Sequence, residues 1–185
     1  MRLRIISGEF KRRLIETPQS LATRPMTDRM RETLFNIIVH RFPIYDAKVL
    51  DLYSGSGSIG LEALSRGAEH ITFVENGSHA IPILEKNIAT LQVQNRTTVM
   101  RTDALGLSSM KSHKQYDFIF ADPPFASNDI HTIYHNLINN DFCTPGGVIV
   151  IQRSIESLEA DIAAFGIEPN RIIGGSALFL ARFEE

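Results

Sequence analysis

The spacing of hydrophobic positions changes character near residue 48. Before that point the chain reads as an appendage. RLRIISGEF and RRLIETP flank a basic turn and predict a hairpin over residues 2–17. TDRMRETLFNIIVHRF follows as a helix. Thr27 or Asp28 can cap it, and Met30, Leu34, Ile37 and Ile38 fall on one apolar stripe. Phe35 and Phe42 are expected to pack this helix onto the body. From residue 48 strands and helices alternate. KVLDLY, ITFVE, TTVMRTD, YDFIFAD and GGVIVIQ read as strands, the third of them weaker. IGLEALSRG, SHAIPILEKNIATLQ, DIHTIYHNLINND and SIESLEADIAAFG read as helices, the first closed by Gly67. RIIGGSALFLARF ends the pattern as two strands joined at Gly174-Gly175-Ser176.

This alternation predicts an α/β fold. A mostly parallel sheet of seven strands carries helices on both faces, and the closing hairpin adds an antiparallel strand at or near one edge. Residues 1–42 form an extension and residues 43–185 the main domain. Right-handed crossovers bring the carboxyl ends of the parallel strands to a single rim, where ligands bind.

The residues predicted on that rim carry chemistry. Gly55, Gly57 and Gly60 in DLYSGSGSIG have G-x-G-x-x-G spacing, which lets backbone approach a ligand closely. Glu75 ends the next strand, where an acid can accept from ribose hydroxyls. Together these predict a ligand containing a nucleoside. A phosphate-cradling loop would need lysine after its second glycine, and Leu61 follows Gly60 instead. A serine elbow needs glycines two residues to each side, which Ser54, Ser56 and Ser58 all lack. A nicotinamide site stays open on the glycines alone. Asp51 and Asp103 add acids at two further strand ends. Acceptors spread along a rim suit S-adenosylmethionine, which carries an ammonium, a ribose diol and an adenine amine but no pyrophosphate.

FADPPF then closes the fourth strand beside the same ligand. An exocyclic amine is a poor nucleophile because its lone pair is delocalised into the ring. Acceptors for its two N–H groups localise that pair as the amine attacks. Asp122 offers a carboxylate, the Pro123 carbonyl a second acceptor, and the Pro123-Pro124 pair a fixed backbone. Phe125 offers a flat face for stacking, worth about 1–3 kcal/mol.

Composition refines this picture in one respect. A net charge of −2 argues against a nucleic-acid partner, but residues 1–31 carry +5 and residues 32–185 carry −7. A basic head on an acidic body predicts a phosphate-docking surface. No apolar run is long enough to cross a bilayer, and no signal peptide is recognised. Cys143, the single cysteine, is expected in a loop as a bystander and fits a cytoplasmic setting. His131 and His135 have i, i+4 spacing without a third ligand, and are expected as surface histidines.

The D-P-P-F run, after a nucleoside-binding first half, resembles amino-methyltransferases that use S-adenosylmethionine. Four stretches narrow the resemblance: RIISGEFKRRLIETP, ATRPMTDRMRETLFNII, VLDLYSGSGSIGLEALSRGA and FIFADPPF. Together they resemble the bacterial 16S ribosomal RNA guanine-N2 methyltransferases of the RsmD type. The resemblance implies a Rossmann-like class I methyltransferase fold with an amino-terminal extension. It implies methyl transfer from S-adenosylmethionine to one guanine of 16S RNA, naked or in a small-subunit particle, without metal or membrane. By motif matching it places Asp51, Tyr53, Gly55, Ser56, Gly57, Glu75, Asn76, Asp103 and Ala104 at the cofactor. Arg24 and Thr27 would close over the cleft, and Asp122, Pro123, Pro124 and Phe125 would hold the guanine. The basic head supplies Arg4, Lys11, Arg12 and Arg13 for RNA. Arg12 stands where the family often has glycine, and Gln152 where an acid is common. A DNA adenine-N6 methyltransferase, a nicotinamide-dependent oxidoreductase and a non-catalytic RNA-binding assembly factor are the alternatives. The first is disfavoured because the short extension has no helix suited to reading a major groove.

Overall fold

The run VLDL is buried throughout, as suits a parallel strand covered on both faces. A computed structural model describes residues 2–18, 26–112, 114–124 and 129–183. Strands β1 (Arg2–Arg4) and β2 (Leu14–Glu16) pair antiparallel as the expected hairpin. Helix α1 (Asp28–Arg41) follows, with the Thr27 hydroxyl accepting from the Met30 N–H. The main sheet uses β3 (Lys48–Leu52), β4 (His70–Glu75), β5 (Thr97–Arg101), β6 (Tyr116–Ala121), β7 (Cys143–Ser154), β8 (Arg171–Ile173) and β9 (Ser176–Arg182). Between them lie α2 (Ser58–Ser65), α3 (Ala80–Leu91), α4 (Ala104–Ser108), α5 (Ile130–Asn139) and α6 (Leu158–Phe165).

Strand order is β5-β4-β3-β6-β7-β9-β8. The first five of these neighbours are parallel, and β9 inserts antiparallel between β7 and β8. The chain therefore fills one side of β3 with β4 and β5, then reverses to the other side with β6. That reversal opens a crevice above the β3–β6 boundary, where ligands of such sheets bind.

Strand pleating divides the apolar residues between two layers. Phe118, Phe120, Val148 and Val150 face the layer holding Leu34, Phe35, Ile38, Leu61 and Leu84. Ile119, Ala121, Ile149 and Ile151 face the opposite layer with Ile133, Leu137, Phe165 and Phe179. The hairpin residues Leu3, Ile5 and Ile15 belong to the first layer, so the basic head and the main sheet share one apolar cluster. Phe35 is fully buried and its ring centroid lies 5.8 Å from that of Phe120. Removing that ring is expected to destabilise by about 3–5 kcal/mol.

Polar groups fasten the head as well. The Glu62 carboxylate of α2 accepts from the Ile6 and Ser7 N–H groups and from Arg66 Nε. Ser65 Oγ accepts from the Phe10 N–H. Arg12 adopts φ +70°, the left-handed region that favours glycine.

The fold departs from the sequence pattern at three points. Cys143 is not in a loop: it opens β7, is buried, and its thiol is pushed up to about 12, chiefly by burial. The Pro145-Gly146 pair looks like a loop signal, yet β7 absorbs it where its register against β6 shifts between Tyr116 and Phe118. His131 is no free surface group, because its Nε2 lies 2.6 Å from Oδ1 of the buried Asp161. Helix α4 has only five residues, too few to leave a periodic signal in the sequence.

Candidate active site

The turn from β3 into α2 is built by backbone conformation before any side chain acts. Tyr53, Gly55 and Gly57 all take positive φ, at 57°, 53° and 79°. Such crowding of left-handed residues folds the chain back sharply, and for Tyr53 it carries strain of the kind stored at functional sites. The Gly57 N–H closes the turn on the Ser54 carbonyl at 2.7 Å.

The three glycines do different jobs. A Cβ on Gly55 would meet only the Tyr53 carbonyl oxygen, at 3.9 Å, so its open side faces room for a ligand. A Cβ on Gly57 would lie 2.5 Å from Leu84 Cδ1. On Gly60 it would lie 2.4 Å from Phe73 Cε1 and 2.7 Å from Ile71 Cγ2. Gly57 and Gly60 thus admit core side chains, not a ligand, and so depart from the reading of all three as points of ligand approach. Their smallness lets α2 lie against β4.

The strand-end acids hold the rim together. Glu75 Oε2 accepts the Gly55 N–H at 2.7 Å, while Oε1 accepts from Asn76 and Gly77 at 3.0 and 2.7 Å. Asp103 caps α4, accepting from Leu105 and Gly106 at 2.8 and 3.1 Å. Asp51 accepts the Gly60 N–H at 2.9 Å from a buried position. Burial pushes its carboxyl up to about 8, against the opposing pull of that N–H, with the charges of Asp122 and Glu75 adding to the rise.

Asp122 follows directly on β6, whose Ala121 is level with Leu52 of β3 and Ile151 of β7. It is partly buried, and no group among the described residues donates a hydrogen bond to it. Desolvation pushes its carboxyl up to about 7. Pro123 is buried and Pro124 exposed. Phe125 and Arg24 lie outside the described residues.

The glycine turn and the diproline turn open into one cavity of about 590 Å³. Asp51, Tyr53, Gly55, Ser56, Glu75, Asn76, Asp103 and Ala104 line it together with Asp122, Pro123 and Pro124. Gly57 and Thr27 do not: the former sits under the turn and the latter caps α1. Pro18 and Met26 line it too, and sequence reasoning missed both as site residues. Met26 carried a signal, since it sits inside the RPMTD stretch.

The lining tests the cofactor. Its acids are Asp51, Glu75, Asp103, Asp122 and Asp129, and no lysine or arginine joins them among the described residues. A dinucleotide's pyrophosphate would meet repulsion there. A cationic adenosyl compound fits the charge, and the volume is within the range of small-ligand sites. Asp51 suits an ammonium, and Glu75 keeps carboxylate lone-pair capacity beyond the N–H groups it holds.

The basic residues of the head are differently engaged. Arg4 Nε lies 3.3 Å from Asp28, and Arg13 Nη2 donates to the Thr90 carbonyl at 2.9 Å. Lys11 and Arg12 are exposed at the hairpin's turn.

The chain is similar to known proteins in sequence and in fold. A family model described as Conserved hypothetical protein 95 matches residues 3–182. Ribosomal RNA small subunit methyltransferase D of Escherichia coli K12 is 36% identical over 155 residues, spanning 84% of this chain and 76% of the relative. Its namesake from Haemophilus influenzae is 34% identical over 152 residues, 81% of this chain and 78% of the relative. The solved structure of Escherichia coli yhhF superimposes with TM-score 0.82 at 30% identity, covering 100% of this chain and 99% of that one. The chain is therefore a class I, S-adenosylmethionine-dependent methyltransferase belonging to the small-subunit ribosomal RNA methyltransferase D family.

Proposed function

We propose that this enzyme methylates the exocyclic N2 amine of one guanine in small-subunit ribosomal RNA, presented in a partly assembled particle. The observation that carries this reading is Asp122: an acid to which no described residue donates a hydrogen bond, at a diproline turn, in the same cavity as the cofactor turn. The names of the relatives supply the RNA class.

When bound, S-adenosylmethionine supplies a methyl group on a cationic sulfur, open to attack by a neutral amine. The chain's own residues prepare that amine. Ionised Asp122 accepts one N–H, the Pro123 carbonyl accepts the other, and the two prolines limit backbone recoil. Both acceptors localise the nitrogen lone pair, and both strengthen as positive charge develops on that nitrogen. The base must leave its stack to reach the cavity, and Phe125 is placed by sequence to receive its face. Proximity supplies much of the rate, and the excess proton passes to water. Lys11 and Arg12 take backbone phosphates outside the cavity.

The test is methyl transfer from labelled S-adenosylmethionine to small-subunit RNA, naked and in particles, taken from a strain lacking this protein. N2-methylguanine identified by mass is the expected product. Methylated adenine, or label in no RNA at all, would refute the proposal.

A further inference from the structure

Asn87 lies in the middle of α3 and is 2% exposed. Its neighbours on that buried side, Leu84, Ile88 and Leu91, are apolar, and asparagine favours helices less than any of them but isoleucine. Its retention therefore needs a reason in its partners. Oδ1 accepts the Glu16 N–H at 2.8 Å, and Nδ2 donates to the Glu16 and Ser56 carbonyls, each at 2.9 Å. The reversed amide would set a donor against the Glu16 N–H, so the network fixes its orientation. Glu16 ends the basic hairpin, and Ser56 stands between Gly55 and Gly57 in the cofactor turn. One side chain thus joins the two. The same helix holds the hairpin twice more, through Lys86 to Glu16 at 2.8 Å and the Thr90 carbonyl to Arg13. Two residues past Glu16, Pro18 already lines the cavity.

We infer that Asn87 is a positioning residue that couples docking of RNA on the hairpin to binding of the cofactor at the glycine turn. The inference rests on the reading that the hairpin docks RNA. The Ser56 carbonyl is held by an amide whose other contacts are hairpin backbone. A ligand that fixes the hairpin therefore narrows the conformations of the turn, and the cofactor narrows those of the hairpin. Such coupling is reciprocal, and factors of about 5–150 are usual.

Equilibrium dialysis of radiolabelled S-adenosylhomocysteine, with and without naked small-subunit RNA or undermethylated particles, tests this. In the unsubstituted protein RNA tightens cofactor binding about fivefold or more. In Asn87→Ala binding without RNA weakens about tenfold, and the tightening by RNA falls to about onefold. Leu91→Ala destabilises the same helix without touching the turn, and keeps the RNA effect. Loss of the effect in Leu91→Ala as well would make Asn87 merely structural and overturn the inference. RNA that binds the unsubstituted protein with no effect on the cofactor overturns it and leaves the proposed function standing. RNA and particles that do not bind at all overturn the docking reading, and the inference with it. Amide exchange needs no variant: S-adenosylhomocysteine slows exchange at Glu16 as well as Gly57. An unchanged Glu16 rate overturns the coupling.

Discussion

The rim over β3, β4 and β5 and the rim over β6 differ in how much of their hydrogen bonding is already made. On the first, Glu75 holds the N–H groups of Gly55, Asn76 and Gly77, Asp103 holds those of Leu105 and Gly106, and Asp51 holds that of Gly60. On the second, Asp122 holds none among the described residues. The first rim is preorganised, so the cofactor meets a turn whose shape is set, and less ordering opposes binding. The second keeps an acceptor that no described residue pairs, and burial pushes its carboxyl up to about 7. A cofactor site gains from rigidity. An amine-activating site gains from an acceptor satisfied only when the reacting nitrogen arrives.

The largest effect should come from removing that acceptor. Asp122→Ala is expected to lower kcat/KM for methyl transfer about 10²–10³-fold, the usual loss for a group that meets charge developing in the transition state. Affinity for S-adenosylhomocysteine should stay within about threefold, because the acids and glycines of the first rim are untouched. Calorimetry beside single-turnover methylation separates the two quantities. An equal loss in both would erase the division between the rims.

Next in size is a contrast inside the glycine turn. Gly60→Ala drives a methyl group to within 2.4 Å of Phe73, a backbone-borne clash in a packed core. It should destabilise by about 1–3 kcal/mol, or some 2–12 °C in Tm. Gly55→Ala meets open space and carries only the strain of φ +53°, about 1 kcal/mol, but its methyl group projects where the ligand approaches. Cofactor affinity should therefore fall more in Gly55→Ala, and Tm more in Gly60→Ala. The reverse order would mean that the turn is held by the ligand and not by its own packing.

These glycines also show what the sequence could reveal. Period-2 and period-3.6 patterns gave the strands and most helices because burial on one or two faces imposes those periods directly. The spacing of Asp51, Glu75, Asp103 and Asp122 located the rim, since each lies within two residues of a strand's carboxyl end and parallel strands share one direction. The use of each residue was less visible. Whether a carboxylate meets a ligand or its own backbone depends on the next few φ and ψ angles, and Asp103 caps a helix too short to announce itself. Gly57 and Gly60 look identical to Gly55 as letters, and only the position of Phe73 and Leu84 separates them. The strand at Cys143 is hidden in the sequence because a proline and a glycine signal a turn even where a strand bends around them. Asn87 looks like a weak residue in an amphipathic helix until its partners are known.

Titration sharpens the comparison at smaller amplitude. Asp51 and Asp122 have carboxyls at about 8 and about 7 in the folded chain, against 3.8 for the unperturbed group. Between about pH 4 and pH 8 the folded state therefore holds protons that the unfolded state has lost. Stability is then greatest near the low end of that window and declines as pH rises through it, by at most about 1.4 kcal/mol per pH unit for each group. Thermal melts should show that decline, and Asp51→Asn should flatten the part that extends to pH 8. Cofactor affinity should move the opposite way, rising towards pH 8 as Asp51 ionises to meet an ammonium. A cofactor affinity flat across the window would remove Asp51 from the cofactor's charged end.

The smallest expected effect concerns Arg12, where stability and docking oppose each other. The residue takes φ +70° at the tip of the hairpin, with its N–H on the Ile5 carbonyl at 2.8 Å. A side chain in that conformation is strained by about 1 kcal/mol, and glycine is not, although glycine gives back part of the gain through greater freedom in the unfolded chain. Arg12→Gly should raise Tm by about 1–3 °C and leave cofactor affinity unchanged. RNA binding should weaken, with the slope of log K against log salt becoming shallower by about 0.7–0.9, the signature of one lost phosphate contact. Retaining arginine at a position shaped for glycine makes sense only if that contact outweighs the strain. A stabilised variant with an unaltered salt slope would leave Arg12 strained without function and confine the docking surface to Arg4, Lys11 and Arg13.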